Sequence, residues 1–292
     1  MVSITKIIIS CIVIPSIILN CGTCYLLIRI KKKNSYIVLC IHLAISDLLQ
    51  ALCGYTPELL IDVYDKEPTK LCIGSALIVS QMALTSISII TLISMCRIVD
   101  LIKTSPSQKY NLLKINLLAL SAWGYAAFWS FSPICGWSRY VLERSGNRCT
   151  LDWTLKTSNA KSYVYSISIF CYVLPIIIHA VSFIIAKKVM KKHRRYLSKL
   201  YGRRNSTTTH VKREERKTSA LCFLMFSAFI MAWTPYTFVG LLSQQMTVPV
   251  WCLDASAILA KSSTLFNPLI YCYKAKFKHK RFLKEFKKCN IE

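Results

Sequence analysis

Apolar residues run along the chain in seven long stretches, separated by short polar or basic segments. About 20 such residues cross the roughly 30 Å hydrocarbon core of a bilayer at about 1.5 Å per helical residue. The pattern predicts spanning helices at about 5–30, 36–62, 72–101, 112–133, 162–188, 216–243 and 249–273. A helix suits lipid because it satisfies its backbone N–H and C=O groups within one segment. The expected fold is an all-α membrane protein: a seven-transmembrane helix bundle over residues 1–273, then a cytoplasmic tail at 274–292 carrying a short amphipathic helix. In that tail Phe277, Phe282, Leu283 and Phe286 stand among lysines, which suits a helix lying on an anionic leaflet. The first apolar run, Ile7 to Ile28, carries no charge and exceeds a signal-peptide core, so it is expected to stay as the first helix. Few residues precede it, so a ligand is expected inside the bundle or at its outer mouth.

Charge adds orientation. The chain is 54% hydrophobic yet has a formal net charge of +25. Its Lys and Arg residues fall in bursts between apolar runs rather than over a polar domain, so they read as topology and not as a nucleic-acid surface. Of 38 basic residues, four lie in Arg29–Lys33, three in 103–114 just after Arg97, thirteen in 187–217 and eight after Tyr273. Those segments are expected in the cytoplasm, which puts the amino terminus outside and the carboxyl terminus inside the plasma membrane. The 14 cysteines read as scattered packing residues, with neither a metal site nor a disulfide-dense scaffold expected.

An ionisable group in a membrane helix costs a few kcal/mol, about 2.5–3.5 on lenient insertion scales, so each one points to function. Three stand out: Asp47 in the second span, Arg97 at the end of the third, and Lys261 in the middle of the seventh. Lys261 lies six residues before Asn267-Pro268, roughly 9 Å along a helix, and cannot easily reach water. A lysine in an apolar pocket has its charged form disfavoured, which makes it a nucleophile toward carbonyls. The alternative is an unmodified lysine paired with a carboxylate. Asp47, Asn267, Pro268 and Tyr271 would face one another if the second and seventh helices pack together, and a proline there frees a carbonyl for small polar groups or water.

The ordered set of polar residues resembles the rhodopsin-like receptor family over nearly the whole chain. Asn20, Asp47 within LAISDLL, Trp123, Pro175, Phe229 with Trp233, Pro235 and Tyr236, and Asn267 with Pro268 and Tyr271 match its successive helix motifs. Within that family, a lysine six residues before this asparagine resembles the opsins. The resemblance implies 11-cis-retinal bound covalently to Lys261 as a protonated Schiff base. It also implies a disulfide between Cys149 and Cys72, because Cys149-Thr150-Leu151-Asp152-Trp153 is similar to the opsin outer loop. The pocket it implies is lined by Trp233, Tyr236, Trp153, Tyr172, Ala83 and Phe229.

Two departures matter. The third-helix position where vertebrate visual opsins carry a glutamate is Ser75, which leaves Glu58 and Glu143 as candidate counterions. Glu143 resembles the loop glutamate of ancestral opsins, or it balances Arg139, Arg144 or Arg148. Glu58, eleven residues after Asp47, resembles a second-helix site in some cnidarian opsins and is favoured because it lies in a span. Beside Arg97, the family's acidic and aromatic neighbours are replaced by Cys96 and Ile98, so Arg97 is expected to depend on Glu215 at the foot of the sixth helix.

The function this implies is a light-sensing G-protein-coupled receptor, not an enzyme. Its partners would be membrane lipid, a heterotrimeric G protein of the stimulatory, cAMP-raising class, arrestin and a receptor kinase, with Cys289 a candidate palmitoylation site. The competing readings are a retinal photoisomerase of the same fold and a receptor for a diffusible ligand without retinal. A pump or channel fits less well, because the spans lack a chain of carboxylates.

Overall fold

The computed structural model describes residues 2–31, 33–59, 68–102, 111–146, 148–154, 157–202 and 205–289, with side chains described except at 2, 3, 207, 208, 212, 214 and 272–289. Seven long helices form the bundle: α1 (Val2–Ile28), α2 (Ser35–Glu58), α3 (Lys70–Ile102), α4 (Leu112–Phe131), α5 (Ser158–Tyr201), α6 (Ser206–Leu242) and α7 (Val250–Cys289). Asn34, Asn111 and Thr157 cap α2, α4 and α5 by accepting bonds from the backbone N–H of Ile37, Leu113 and Ala160. α5 continues well past residue 188 because its basic stretch holds good helix formers and no breaker before Gly202, whose φ of +78° ends it. α6 likewise begins ten residues before the expected 216.

Among the described residues, six helices are long and apolar enough to cross a membrane by length and composition. α7 is not one of the six, because Asp254, Lys261, Ser263, Thr264 and Asn267 dilute its apolar content; all five are buried inside the bundle. The polar groups that weaken the hydropathy signal of α7 are thus the ones its neighbours enclose.

α3 is the central stave and packs on α2, α4, α5 and α6, while α1 joins α2 to α7 and α7 lies along α6. The core includes Leu43, Ile89, Ile90, Met225 and Phe226. Large apolar residues such as Ile18, Leu26 and Met231 instead point outward, each about two-thirds exposed, as lipid-facing surface should. Cys21 and Cys24 make a C-x-x-C pair on α1, contrary to the expectation of singly scattered cysteines; both thiols are free, and no metal-binding cluster occurs among the described residues.

Two π-helical turns interrupt the spans, at Gln50–Tyr55 in α2 and Ser168–Val173 in α5. Each inserts part of a turn and so re-aims the residues beyond it. After the first of them, Glu58 is the last residue of α2 and is buried at 4% exposure. Gly54 lets this segment approach α3, since a Cβ there would lie 2.8 Å from Val79 Cγ2. Between α4 and α5 the chain folds back as a hairpin, β1 (Tyr140–Leu142) antiparallel to β2 (Cys149–Leu151). A disulfide from Cys149 to Cys72 ties β2 to the start of α3. The helical backbone of α7 runs on through the tail to Cys289, whose side chain lies outside those described.

Candidate functional site

Beneath the hairpin lies a cavity of about 1030 Å³ between atoms, counting its open mouth. Phe229, Trp233, Tyr236, Trp153, Tyr172 and Ala83 all line it, so the structure gathers the aromatic set named from sequence around one space. Phe229 and Trp233 stack with centroids 5.7 Å apart, and Tyr236 meets Trp153 edge-on at 6.0 Å. Trp153 rests over Gly240, where a Cβ would come within 2.7 Å of its ring. Tyr172 shares a 2.5 Å hydrogen bond with Thr234, and Tyr236 shares one with Thr150 of β2.

Lys261 and Glu58 both line this cavity. Lys261 Nζ donates to Glu58 Oε2 at 2.6 Å, and the two side chains are 5% and 4% exposed. The amine also lies 4.2 Å from the centroid of the Tyr55 ring, whose negative face attracts a cation. α2 and α7 therefore meet through a buried ion pair roofed by an aromatic ring. Tyr55 was not singled out from sequence, since a tyrosine in an apolar span ordinarily reads as packing.

Glu143 takes a different partner. It forms an ion pair with Arg148, and Arg148 Nη1 also lies 3.1 Å from Asp254 Oδ1 at the head of α7. Burial pushes the Glu143 carboxyl up from its ordinary range, although Arg148 pulls it the other way. The Ser75 hydroxyl, at the vacant third-helix counterion position, donates to the Cys72 carbonyl at 2.8 Å.

Midway along the bundle, Asp47 accepts from Ser86 at 2.9 Å and from Asn267 at 2.8 Å. Asn20 donates to the Thr264 carbonyl at 2.9 Å, which draws α1 into the same layer. Pro268 lies within α7, and Tyr271 packs half-buried against the core. Trp233 Nε1 donates to Ser263 at 3.1 Å, joining α6 to α7 four residues from Asn267.

At the opposite, basic end, Arg97 and Glu215 meet, but not through their side chains as expected. Arg97 Nη2 donates to the Glu215 backbone carbonyl at 3.0 Å and its Nε to Ser219 at 3.3 Å. The Glu215 carboxylate turns to His193 of α5 at 2.6 Å. The imidazole of α5 captures the carboxylate first, and Arg97 is left with neutral oxygens. His193 lies in a run of lysines and arginines and gave no separate signal in the sequence.

Comparison with known proteins bears on the fold and the family. The family model "7 transmembrane receptor (rhodopsin family)" matches residues 9–271. A "Rhodopsin, G0-coupled" of Mizuhopecten yessoensis is 29% identical over 84% of this chain, which spans 61% of that relative. A "Pinopsin" of Gallus gallus is 25% identical over 96% of this chain and 76% of its own length. The crystal structure of squid rhodopsin superposes with a TM-score of 0.81 at 22% identity, covering 91% of this chain and 80% of that one. With the family model matched over most of its length, the chain belongs to the rhodopsin family of seven-transmembrane receptors and is a multi-pass membrane protein.

Proposed function

We propose that this receptor is an opsin, a light-sensing G-protein-coupled receptor that binds 11-cis-retinal covalently on Lys261 as a protonated Schiff base. The observation that carries the reading is the buried Lys261–Glu58 pair, 2.6 Å apart at the wall of an aromatic cavity. The residues fit the group: one amine able to condense with an aldehyde, one carboxylate to hold its charge, and Phe229, Trp233 and Tyr236 to form an apolar slot. When bound, retinal supplies a double bond that light isomerises from 11-cis to all-trans.

The chain's own residues do the rest. Glu58 keeps positive charge at Lys261 Nζ; at about 4 Å and an effective dielectric near 20 such an attraction is on the order of 4 kcal/mol, enough to decide protonation. Trp233 touches the cavity on one side and bonds Ser263 on the other, so a change in cavity shape reaches α7 near Asn267. Pro235 lies inside α6 two residues beyond Trp233, where it lacks a backbone donor, and is the natural pivot. An outward swing of α6 takes Ser219 and the Glu215 carbonyl away from Arg97 and opens the basic end to a heterotrimeric G protein. In this reading the hairpin end lies outside the plasma membrane and the basic end faces the cytoplasm, where arrestin and a receptor kinase would also act. Cys289 there is the palmitoylation site. The second-helix carboxylate is the basis for assigning a cnidarian-type arrangement and the stimulatory, cAMP-raising G-protein class.

The test is cAMP in cells expressing the chain with 11-cis-retinal, in the dark and after a flash, beside Lys261→Ala. A light-driven rise that disappears in the variant is expected. Retinal isomerisation without any second-messenger change would favour the photoisomerase reading, which the replacements Cys96 and Ile98 beside Arg97 support. No retinal uptake by the folded protein would favour a diffusible ligand.

A further inference from the structure

A second buried cation stands at the same cavity. Arg148 lines it beside Glu58 and Lys261 and is 3% exposed. Its guanidinium holds Glu143 and Asp254 together, and Nη2 also donates to the Leu253 carbonyl at 3.1 Å. Glu143 receives one further bond, from the Ser145 hydroxyl at 3.2 Å. The cavity is thus walled by a balanced pair, Lys261 with Glu58, and by a triad in which two carboxylates share one guanidinium. Burial works against the charge on Arg148, but Glu143 first and Glu58 next outweigh it and hold the guanidinium above its usual range. Arg148 therefore stays charged.

This arrangement decides between two carboxylates. A guanidinium is a planar fork that fixes its acceptors in place, so the Glu143 carboxylate is directed at Arg148 rather than at Lys261, although two carboxylates against one guanidinium leave the triad a net negative charge. Glu58 has no guanidinium bonded to it: among the described residues its carboxylate is bonded by Lys261. Without Arg148, Glu143 and Asp254 would be left buried without their shared cation, which is strongly unfavourable. Lys261 would then be the remaining cation at the cavity wall able to lower that cost.

Taking Lys261 as the retinal-binding lysine proposed above, we infer that Arg148 is a positioning residue that occupies Glu143, leaves Glu58 as sole counterion, and keeps Glu143 as a latent one. The assignment explains why a chain can carry a glutamate at the loop position and not use it.

The test is the dark absorbance of full-length protein regenerated with 11-cis-retinal at neutral pH. Glu58→Gln loses the visible band and keeps a near-ultraviolet band, the signature of a bound but unprotonated Schiff base. Glu58→Gln with Arg148→Gln regains the visible band, and adding Glu143→Gln abolishes it again. Glu58→Gln with Arg148→Lys stays in the near ultraviolet, because the charge that occupies Glu143 is retained. Three results overturn the inference: a full visible band in Glu58→Gln alone, no recovery in the double variant despite a near-ultraviolet band, or a triple variant that still absorbs in the visible. If the double variant fails to fold, Glu58→Gln alone still decides whether Glu143 is occupied. Absence of any Lys261-dependent band in the unaltered protein is a separate outcome, which sinks the retinal reading itself.

Discussion

At the hairpin end, buried cations meet carboxylates: Lys261 with Glu58 at 2.6 Å, and Arg148 with Glu143 and Asp254. At the basic end, Arg97 meets a backbone carbonyl at 3.0 Å and a hydroxyl at 3.3 Å, while the Glu215 carboxylate is taken by His193. Breaking a buried ion pair by removing one partner costs about 3–5 kcal/mol, because the other charge is left without compensation. A hydrogen bond from a charged donor to a neutral oxygen contributes about 1.5–3 kcal/mol, less where water can replace it. The same receptor frame is thus held by strong electrostatics where a ligand would sit and by weaker contacts where it would have to open. A signal made at the first end needs only a small free energy to move the second.

The comparison can be broken at either end. The largest effect is expected at Glu58: Glu58→Ala leaves Lys261 buried without its carboxylate and lowers the stability of the retinal-free protein by about 3–5 kcal/mol, read as thermal unfolding in detergent. Replacing both members with apolar side chains, Glu58→Leu with Lys261→Met, restores most of that loss; no restoration would show that the pair is not the source. Next comes Gly54→Ala, whose added Cβ meets Val79 Cγ2 at 2.8 Å and should cost about 1–3 kcal/mol by forcing α2 and α3 apart.

At the basic end the effects shrink. Ser219→Ala removes one of the two bonds that restrain Arg97 and is expected to favour the open state by about 1 kcal/mol, seen as raised dark G-protein activation. Glu215→Gln leaves the backbone carbonyl in place and should change dark activation by less than about 1 kcal/mol, the scale of a part-exposed pair. A large rise in Glu215→Gln would mean that the carboxylate, and not the carbonyl, restrains Arg97.

The smallest effect is in pH. Burial raises the Asp152 carboxyl, but bonds from Thr154 and from Arg139 at 2.9 Å outweigh it and hold the group below its ordinary 3.8. Its contribution is full above 3.8 and fades as pH falls through the lower folded value. Arg139 is 65% exposed, so the loss is under about 1 kcal/mol and vanishes in Asp152→Asn. Glu143 has the opposite sign: raised above 4.5, it favours the folded state at low pH and loses that contribution as pH climbs past its folded value.

Lys261, Asp47 and Glu58 were legible in the sequence because a charge inside an apolar run has few ordinary explanations. The spans were legible for the complementary reason, that length and hydropathy have a fixed scale in lipid; α7 too was read from its apolar run, although its apolar content is thin. Arg148 was not, since Arg139, Arg144 and Arg148 flank Glu143 alike and only the hairpin register chooses among them. Asp254 belongs to none of the motifs read from the sequence, although it is buried at 8% exposure. The π-helical turn at Gln50–Tyr55 has no marker in the hydropathy pattern, and the close approach of Gly54 to Val79 within it shows only in three dimensions.

That Lys261 carries retinal is tested by the dark absorbance spectrum of purified protein regenerated with 11-cis-retinal, beside Lys261→Ala. The account predicts a visible band that is present with Lys261 and absent without it. A folded protein that forms no band, or a Lys261→Ala variant that forms the same one, would contradict it.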